Sequence, residues 1–182
     1  MNLRQVLGRF PRMFRPSSAS EIFRRIRDER LETTIWYPVI LLLIESVFIS
    51  IGGFFVLRWL FSGIQIPYEH VFHLVSFGII PFTVVAGVFA LFAVSVLIHI
   101  PLRIFGGRAG FSQTFKAVAY GSTPSMTTII APPIMVLTIP LSLTIISVGL
   151  RELHGISGKR AAGSILAVIG VGVMISLVSL IL

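Results

Sequence analysis

Apolar residues in this chain run on in long blocks, without the alternation of a half-buried strand or the single stripe of a soluble surface helix. A helix that crosses a bilayer needs roughly 20 consecutive, mostly apolar residues, and that length divides the chain. Residues 35–61 form the first block, with one acidic interruption at Glu45. Residues 71–100 form the second, with Pro81 inside it and His99 near its end. Residues 113–131 are a weaker third, mixing Ala, Thr, Ser and Ile after Lys116. Residues 133–150 and 161–182 complete the pattern, which predicts five spans. Pro124, Pro132, Pro133 and Pro140 interrupt any continuous helix through 113–150. That stretch is either two kinked spans joined at Pro132–Pro133 or a re-entrant hairpin, and both return the chain to the same side. Non-helical backbone at that depth requires shielding by neighbouring helices or a watery cavity.

Ahead of the first block the pattern becomes amphipathic. Leu3, Val6, Leu7 and Phe10 stand at helical spacing, and Pro11 stops that run. Ser18-x-x-Glu21 has the form of a capping box opening a helix with Ile22, Phe23 and Ile26 on one face. Arg24 and Arg25 precede Asp28 and Glu29 by four residues, a spacing that supports a helix. No apolar core follows the basic start, so residues 1–34 do not read as a cleavable signal. The organisation expected is therefore a basic amphipathic segment, 1–34, followed by a transmembrane domain, 35–182. The segment suits contact with anionic inner-leaflet lipids, with a docking surface for protein or a solvated helix as alternatives.

Composition agrees with this division. Of 182 residues, 55% are hydrophobic and only 12% charged, and mean hydropathy is +0.95, against about a quarter charged in soluble domains. A soluble enzyme and a disordered chain are both excluded. The absence of cysteine removes disulfides, thiol chemistry, iron–sulfur clusters and Cys-based zinc sites. The net charge of +8 is not spread evenly. Fourteen of the 15 basic residues fall in residues 1–34, in the connection after the second span, or in the one after the fourth. The positive-inside rule then sets the N-terminus in the cytoplasm and the C-terminus outside. Topology accounts for the charge, so no nucleic-acid partner is expected.

Candidate chemistry is sparse. Glu45 sits where a charge is costly, so it must be protonated, paired or turned into the bundle. One role is a proton or cation site; the other, preferred on sequence alone, is a hydrogen bond to Ser, Thr or Tyr of a neighbouring span. Arg58 lies about 20 Å further along the helix, too far to pair with it, and is expected to snorkel outward beside Trp59. Glu69, His70 and His73 cluster at the start of the second span but lack a third or fourth metal ligand in the pattern. Gly155-Ile156-Ser157-Gly158-Lys159-Arg160 fails as a phosphate loop, because position 153 is Leu and position 160 is Arg. No nucleophile elbow, His-Glu-x-x-His motif or paired acidic site is present. The expectation is a non-enzyme with no cofactor or metal.

Two connections carry sharper patterns. In the first, Gly106, Gly107 and Gly110 permit a tight turn, Ser112 is placed to cap the next helix, and Phe115-Lys116-x-x-Ala119-Tyr120-x-x-x-Pro124 follows. The second is Gly149-Leu150-Arg151-Glu152-Leu153-His154-Gly155-Ile156-Ser157. In order and spacing these motifs resemble the prokaryotic branch of the Yip family, membrane proteins named for interaction with Ypt/Rab GTPases. The similarity extends from about residue 16 to the C-terminus. It implies five transmembrane helices with a cytoplasmic N-terminus, and it directs attention to Gly106, Gly107, Tyr120, Pro124, Arg151, Glu152 and His154. Eukaryotic members carry an Asp-Leu-x-Gly-Pro motif near the first span and a long cytosolic N-terminal domain. Neither is found here, so the resemblance implies a bacterial or archaeal cell-membrane protein rather than a Rab partner.

On their own chemistry, Tyr120 and Pro124 are one helical turn apart and suit packing and a kink, and Arg151 suits a helix C-terminus. Ala161, Ala162, Gly163 and the Gly170-x-Gly172 pair suit close helix approach, within one chain or between copies. The function these features predict is a multi-pass scaffold or adaptor in the cytoplasmic membrane. Its partners would be the bilayer, anionic lipids, and a membrane or cytoplasmic protein or second copy. The alternative is a small permease or channel component using Glu45 and the proline-broken helices.

Overall fold

Pro38 does not break the helix that contains it: Leu31–Leu60 is one 30-residue helix, α3, in the computed structural model of the chain. The structure describes residues 3–60, 68–127 and 132–181, with the side chains of residues 3, 57, 60, 68–77, 132 and 181 outside that description. Every regular element among the described residues is helical. A short α1 (Leu3–Arg9) leads through a 3-10 turn (Phe10–Phe14) into α2 (Pro16–Ile26). After α3 come α4 (Tyr68–Ile104), α5 (Phe111–Gly121), α6 (Thr123–Met126), a second 3-10 turn (Pro132–Ile134), α7 (Met135–His154) and α8 (Gly158–Ile181). The protein is a multi-pass membrane helical bundle. Among the described residues four helices, α3, α4, α7 and α8, are long and apolar enough to cross a bilayer.

Those four match the first, second, fourth and last predicted blocks. The third block differs. Residues 113–131 are not one described helix: α5 ends at Gly121, Ser122 makes the break, and Pro124 stands in the first turn of α6. Pro140, expected to interrupt, lies inside an unbroken α7. Proline lacks the N–H that would reach the Val136 carbonyl one turn back, a loss that membrane helices tolerate; the Pro140 carbonyl itself accepts from Thr144 Oγ1 at 2.8 Å.

The helix starts also correct two readings. Pro16 occupies the first turn of α2, Arg15 is its N-cap, and no side chain caps it, so Ser18 and Glu21 form no capping box. Proline at the first helical position is pre-set for helix entry and loses no bond, which moves the N-cap three residues upstream, from Ser18 to Arg15. Likewise Gly110, not Ser112, is the N-cap of α5. Because α2 ends at Ile26, Asp28 and Glu29 lie beyond it, and the ion pairs form elsewhere: Arg25 pairs with Glu21.

In the bundle α5 is the centre. It pairs most extensively with α7 and also contacts α4 and α3. Residues 114–121 are all buried, Lys116 and Tyr120 among them. Close approach requires small residues, and Gly121 supplies one: a Cβ there would stand 2.8 Å from the Ile146 backbone nitrogen on α7. α8 leans on α4 and α7 through its first half, where Gly163 faces the Phe105 ring. Among the described residues, nothing lies within 4 Å of where a Cβ would be at Gly170 or Gly172, so they serve no close approach there.

Candidate functional site

The amphipathic N-terminal helix does not leave its apolar face for lipid. Ala19, Ile22, Phe23 and Ile26 of α2 are all buried, and α2 lies against α7. Phe23 fills the space over Gly149, where a Cβ would meet its ring at 2.7 Å, and the same point is 3.0 Å from Ala117. α2 is thereby locked to the end of the bundle at which α4 finishes, α5 starts, and α7 passes to α8. The basic residues of the three predicted connections gather at this one end.

Three polar clusters fix the lock. In the first, Arg9 reaches back from α1. Its Nη2 donates to Glu29 Oε1 at 2.6 Å and its Nη1 donates to Glu29 Oε2 at 3.2 Å and to Tyr120 Oη at 2.6 Å. Burial opposes the Arg9 charge, but the Glu29 carboxylate and Tyr120 outweigh it and hold its pKa above the ordinary value. The Tyr120 ring stacks on Tyr37 of α3 at 4.0 Å between centroids and 12° between planes. Tyr37 and Thr123 share a hydrogen bond of 2.9 Å, and Thr123 Oγ1 is 2.6 Å from the Tyr120 carbonyl. Tyr120 and Pro124 thus do what their spacing suited: one packs, the other opens the helix after the break.

In the second cluster, Lys116 Nζ donates to the carbonyls of Ile26 at 3.0 Å, Arg27 at 2.8 Å and Glu29 at 2.5 Å. Gln113 Nε2 adds a bond to the Arg27 carbonyl at 2.9 Å. The last carbonyls of a helix have no partner of their own, and here an ammonium from the bundle core serves them, a favourable charge for a helix C-terminus.

The third cluster is on α7. Glu152 accepts from Ser20 Oγ at 2.9 Å, Arg24 Nε at 2.9 Å and Arg151 Nη2 at 2.6 Å. The Glu152 hydrogen bond raises the Arg24 pKa. One turn away, Thr114 Oγ1 bridges His99 Nδ1 at 2.7 Å and His154 Nε2 at 3.0 Å. His154 Nδ1 is buried with no hydrogen-bond partner among the described residues. Gly107 closes over it: a Cβ there would stand 3.0 Å from the Leu102 carbonyl and 3.3 Å from that nitrogen. Gly106 turns the chain at φ 91° and Gly155 ends α7 at φ 65°, values that L side chains rarely adopt.

Seven of the eight residues selected from the sequence, Gly106, Gly107, Tyr120, Pro124, Arg151, Glu152 and His154, therefore lie in or beside the α2–α5–α7 assembly. Glu45 stands apart on α3, 5% exposed. The interhelical hydrogen bond expected for it does not form: its carboxyl has no hydrogen-bond partner among the described residues. Arg58 is exposed beside Trp59 in the last turn of α3. The side chains of Glu69, His70 and His73 lie outside the described residues. No group of three or more metal-ligating side chains occurs among the described residues. Sequence reasoning missed Arg9, Ser20, Tyr37, His99 and Thr114 as site residues. Tyr37 and His99 were the available signals, polar rings set in apolar blocks.

Comparison with known proteins adds one finding. The family model described as the Yip1 domain matches residues 12–181, from the first 3-10 turn to the end of α8. No curated protein and no solved structure matches the chain.

Proposed function

The chain belongs to the Yip1 domain family, and from that premise we propose that it is a non-enzymatic membrane scaffold working through its basic face. One observation carries this reading. α2 turns its apolar residues into the bundle, while Arg4, Arg12, Arg15, Arg24, Arg25, Arg27 and Arg30 remain exposed on the same end. Exposed arginines at a membrane surface gain about 1 kcal/mol each from anionic headgroups. The contact offered is electrostatic and comes from guanidinium groups on a fixed platform, rather than from an apolar helix face laid into the leaflet. In this reading the protein resides in the cytoplasmic membrane of a prokaryote with the basic end inside, and protein partners or a second copy dock on the same face.

The test is reconstitution into vesicles with and without phosphatidylglycerol, with a photo-crosslinker replacing Arg15. Crosslinking to the anionic lipid, lost when Arg12 and Arg27 become Glu, supports the scaffold. Equal crosslinking to neutral lipid rejects the basic platform. A small permease is the second reading, favoured by the cleft beside Glu45. Solute or proton flux carried by the parent protein and absent in Glu45→Gln would replace the scaffold reading with it.

A further inference from the structure

Between α4 and α8 lies an apolar groove of about 440 Å³. Its α4 wall is Leu97, Ile100 and Ile104, which share one face of that helix, and its α8 wall is Ala167, Val171 and Ile175. All of these but Ala167 are exposed, so the groove opens on the lipid-facing surface of two membrane-crossing helices. None of its described lining residues carries a polar side chain. Water needs about two to four polar partners, so in a bilayer this space is filled by hydrocarbon. A second hollow, walled by Met174 and Val178, shares Val171 and Ile175 with the first and continues it along α8. From Ala167 to Val178 the helix rises about 16 Å, close to half of the roughly 30 Å hydrocarbon core. The groove is one leaflet deep. That is the reach of an acyl chain and about half of what a transmembrane helix would occupy.

At its other end the groove meets a cation. Ile104 is the last residue of α4, and the chain turns just beyond it at Gly106, where a Cβ would stand 3.4 Å from Arg160 Nη1. Arg160 precedes Ala167 by two helical turns and so falls on the same side of α8. Among the described residues its guanidinium has no hydrogen-bond or ion-pair partner; only its backbone N–H is bonded, to Ser157 Oγ at 3.5 Å. The neighbouring Arg103 differs, because its Nη1 donates to the carbonyls of Gly107 at 3.3 Å and Arg108 at 3.2 Å. One guanidinium is therefore left over where the apolar groove reaches the basic end. Its planar fork of N–H donors matches a phosphate.

We propose that this groove binds one anionic phospholipid, with an acyl chain between α4 and α8 and its phosphate at Arg160. Arginine at the surface attracts the anionic headgroup, and the groove holds the chain that follows it. The site uses none of the arginines of the α1–α2 platform. It shares with the scaffold reading only the presence of anionic lipid at the basic end.

Native mass spectrometry of the full chain in detergent, titrated with phosphatidylglycerol or with phosphatidylcholine of the same acyl chains, counts the lipids retained. The expected result is one phosphatidylglycerol held about tenfold more tightly than phosphatidylcholine, a preference that Arg160→Gln abolishes. Gly172→Leu puts a side chain into the groove, where among the described residues nothing lies within 4 Å of a Cβ. It should weaken the retention of both lipids while the thermal transition in detergent stays unchanged. Arg12→Glu combined with Arg27→Glu, which disables the platform, should leave this lipid in place. Equal retention of the two lipids, or retention that ignores Arg160→Gln or Gly172→Leu, overturns the site. Loss of the lipid in the platform variant but not in Arg160→Gln assigns it to the platform and overturns the site too. A dimer that Gly172→Leu dissociates gives the groove to a second copy, with the same consequence.

Discussion

α5 and α8 divide the work of this protein in opposite ways. α8 has 24 residues, carries no charge beyond Arg160, and has every residue from 169 to 180 exposed. α5 has 11 residues, includes Gln113, Thr114 and Lys116, and is buried from 114 to 121. In water the more apolar helix would be the core. In a bilayer lipid tails are as apolar as leucine, so nothing drives α8 inward. The interior goes to segments whose small residues permit close contact and whose polar groups find partners, and here those are α5, the C-terminal half of α7, and α2. What specifies this fold is concentrated in its least hydrophobic parts.

The sharpest way to break that contrast is to add volume at the α5–α7 contact. Gly121→Val would push a side chain into the Ile146 backbone, which lies 2.8–2.9 Å from a Cβ at that position. Overpacking against backbone cannot relax by rotamer change, and the expected loss is about 3 kcal/mol or more, read as a collapse of the thermal transition in detergent. Lys116→Met comes next. It removes the ammonium donor from the carbonyls of Ile26, Arg27 and Glu29, of which Ile26 keeps the Glu29 N–H and Arg27 keeps Gln113, and we expect a loss of about 1–3 kcal/mol, together with faster proteolysis between α2 and α3. Tyr120→Phe removes the hydroxyl that Arg9 donates to, while Arg9 keeps Glu29 and the stack on Tyr37 persists, so unfolding measurements should register about 1 kcal/mol. Gly172→Leu on α8 adds one carbon more than Gly121→Val, yet among the described residues nothing lies within 4 Å of its site. Its effect should stay within about 0.5 kcal/mol. If Gly172→Leu proved as damaging as Gly121→Val, the contrast between the two helices would be wrong.

The same contrast explains what could be read from residues alone. The four long helices were legible because a continuous apolar run needs no knowledge of its neighbours. The third block was not, because its helicity depends on the helices around it. Ser122 breaks the helix where Tyr120 stacks on Tyr37, 83 positions earlier in the sequence, and local propensity carries no record of that contact. The same reason hid the fate of α2. Its apolar face was plain in Ile22, Phe23 and Ile26, but an amphipathic helix suits a lipid surface and a protein groove equally. Gly149, which makes that groove, looked like part of a turn motif. The motif residues stood out in two separate connections, while the side chains that join them in the fold, Arg9 from α1 and Thr114 from α5, carried no local signal.

Lys116 also bears on the order in which the protein is made. Its three acceptors belong to residues 26, 27 and 29, which leave the ribosome before it, and Phe23 packs over Gly149, which follows later still. The N-terminal segment is therefore synthesised first and seated last. It must wait, basic and with its apolar face uncovered, while three long helices enter the membrane, and it closes the bundle only when α7 has arrived. Until then an uncovered apolar face beside basic residues is the kind of surface that suits a lipid leaflet; in the finished fold that face is buried, with α2 packed on α7.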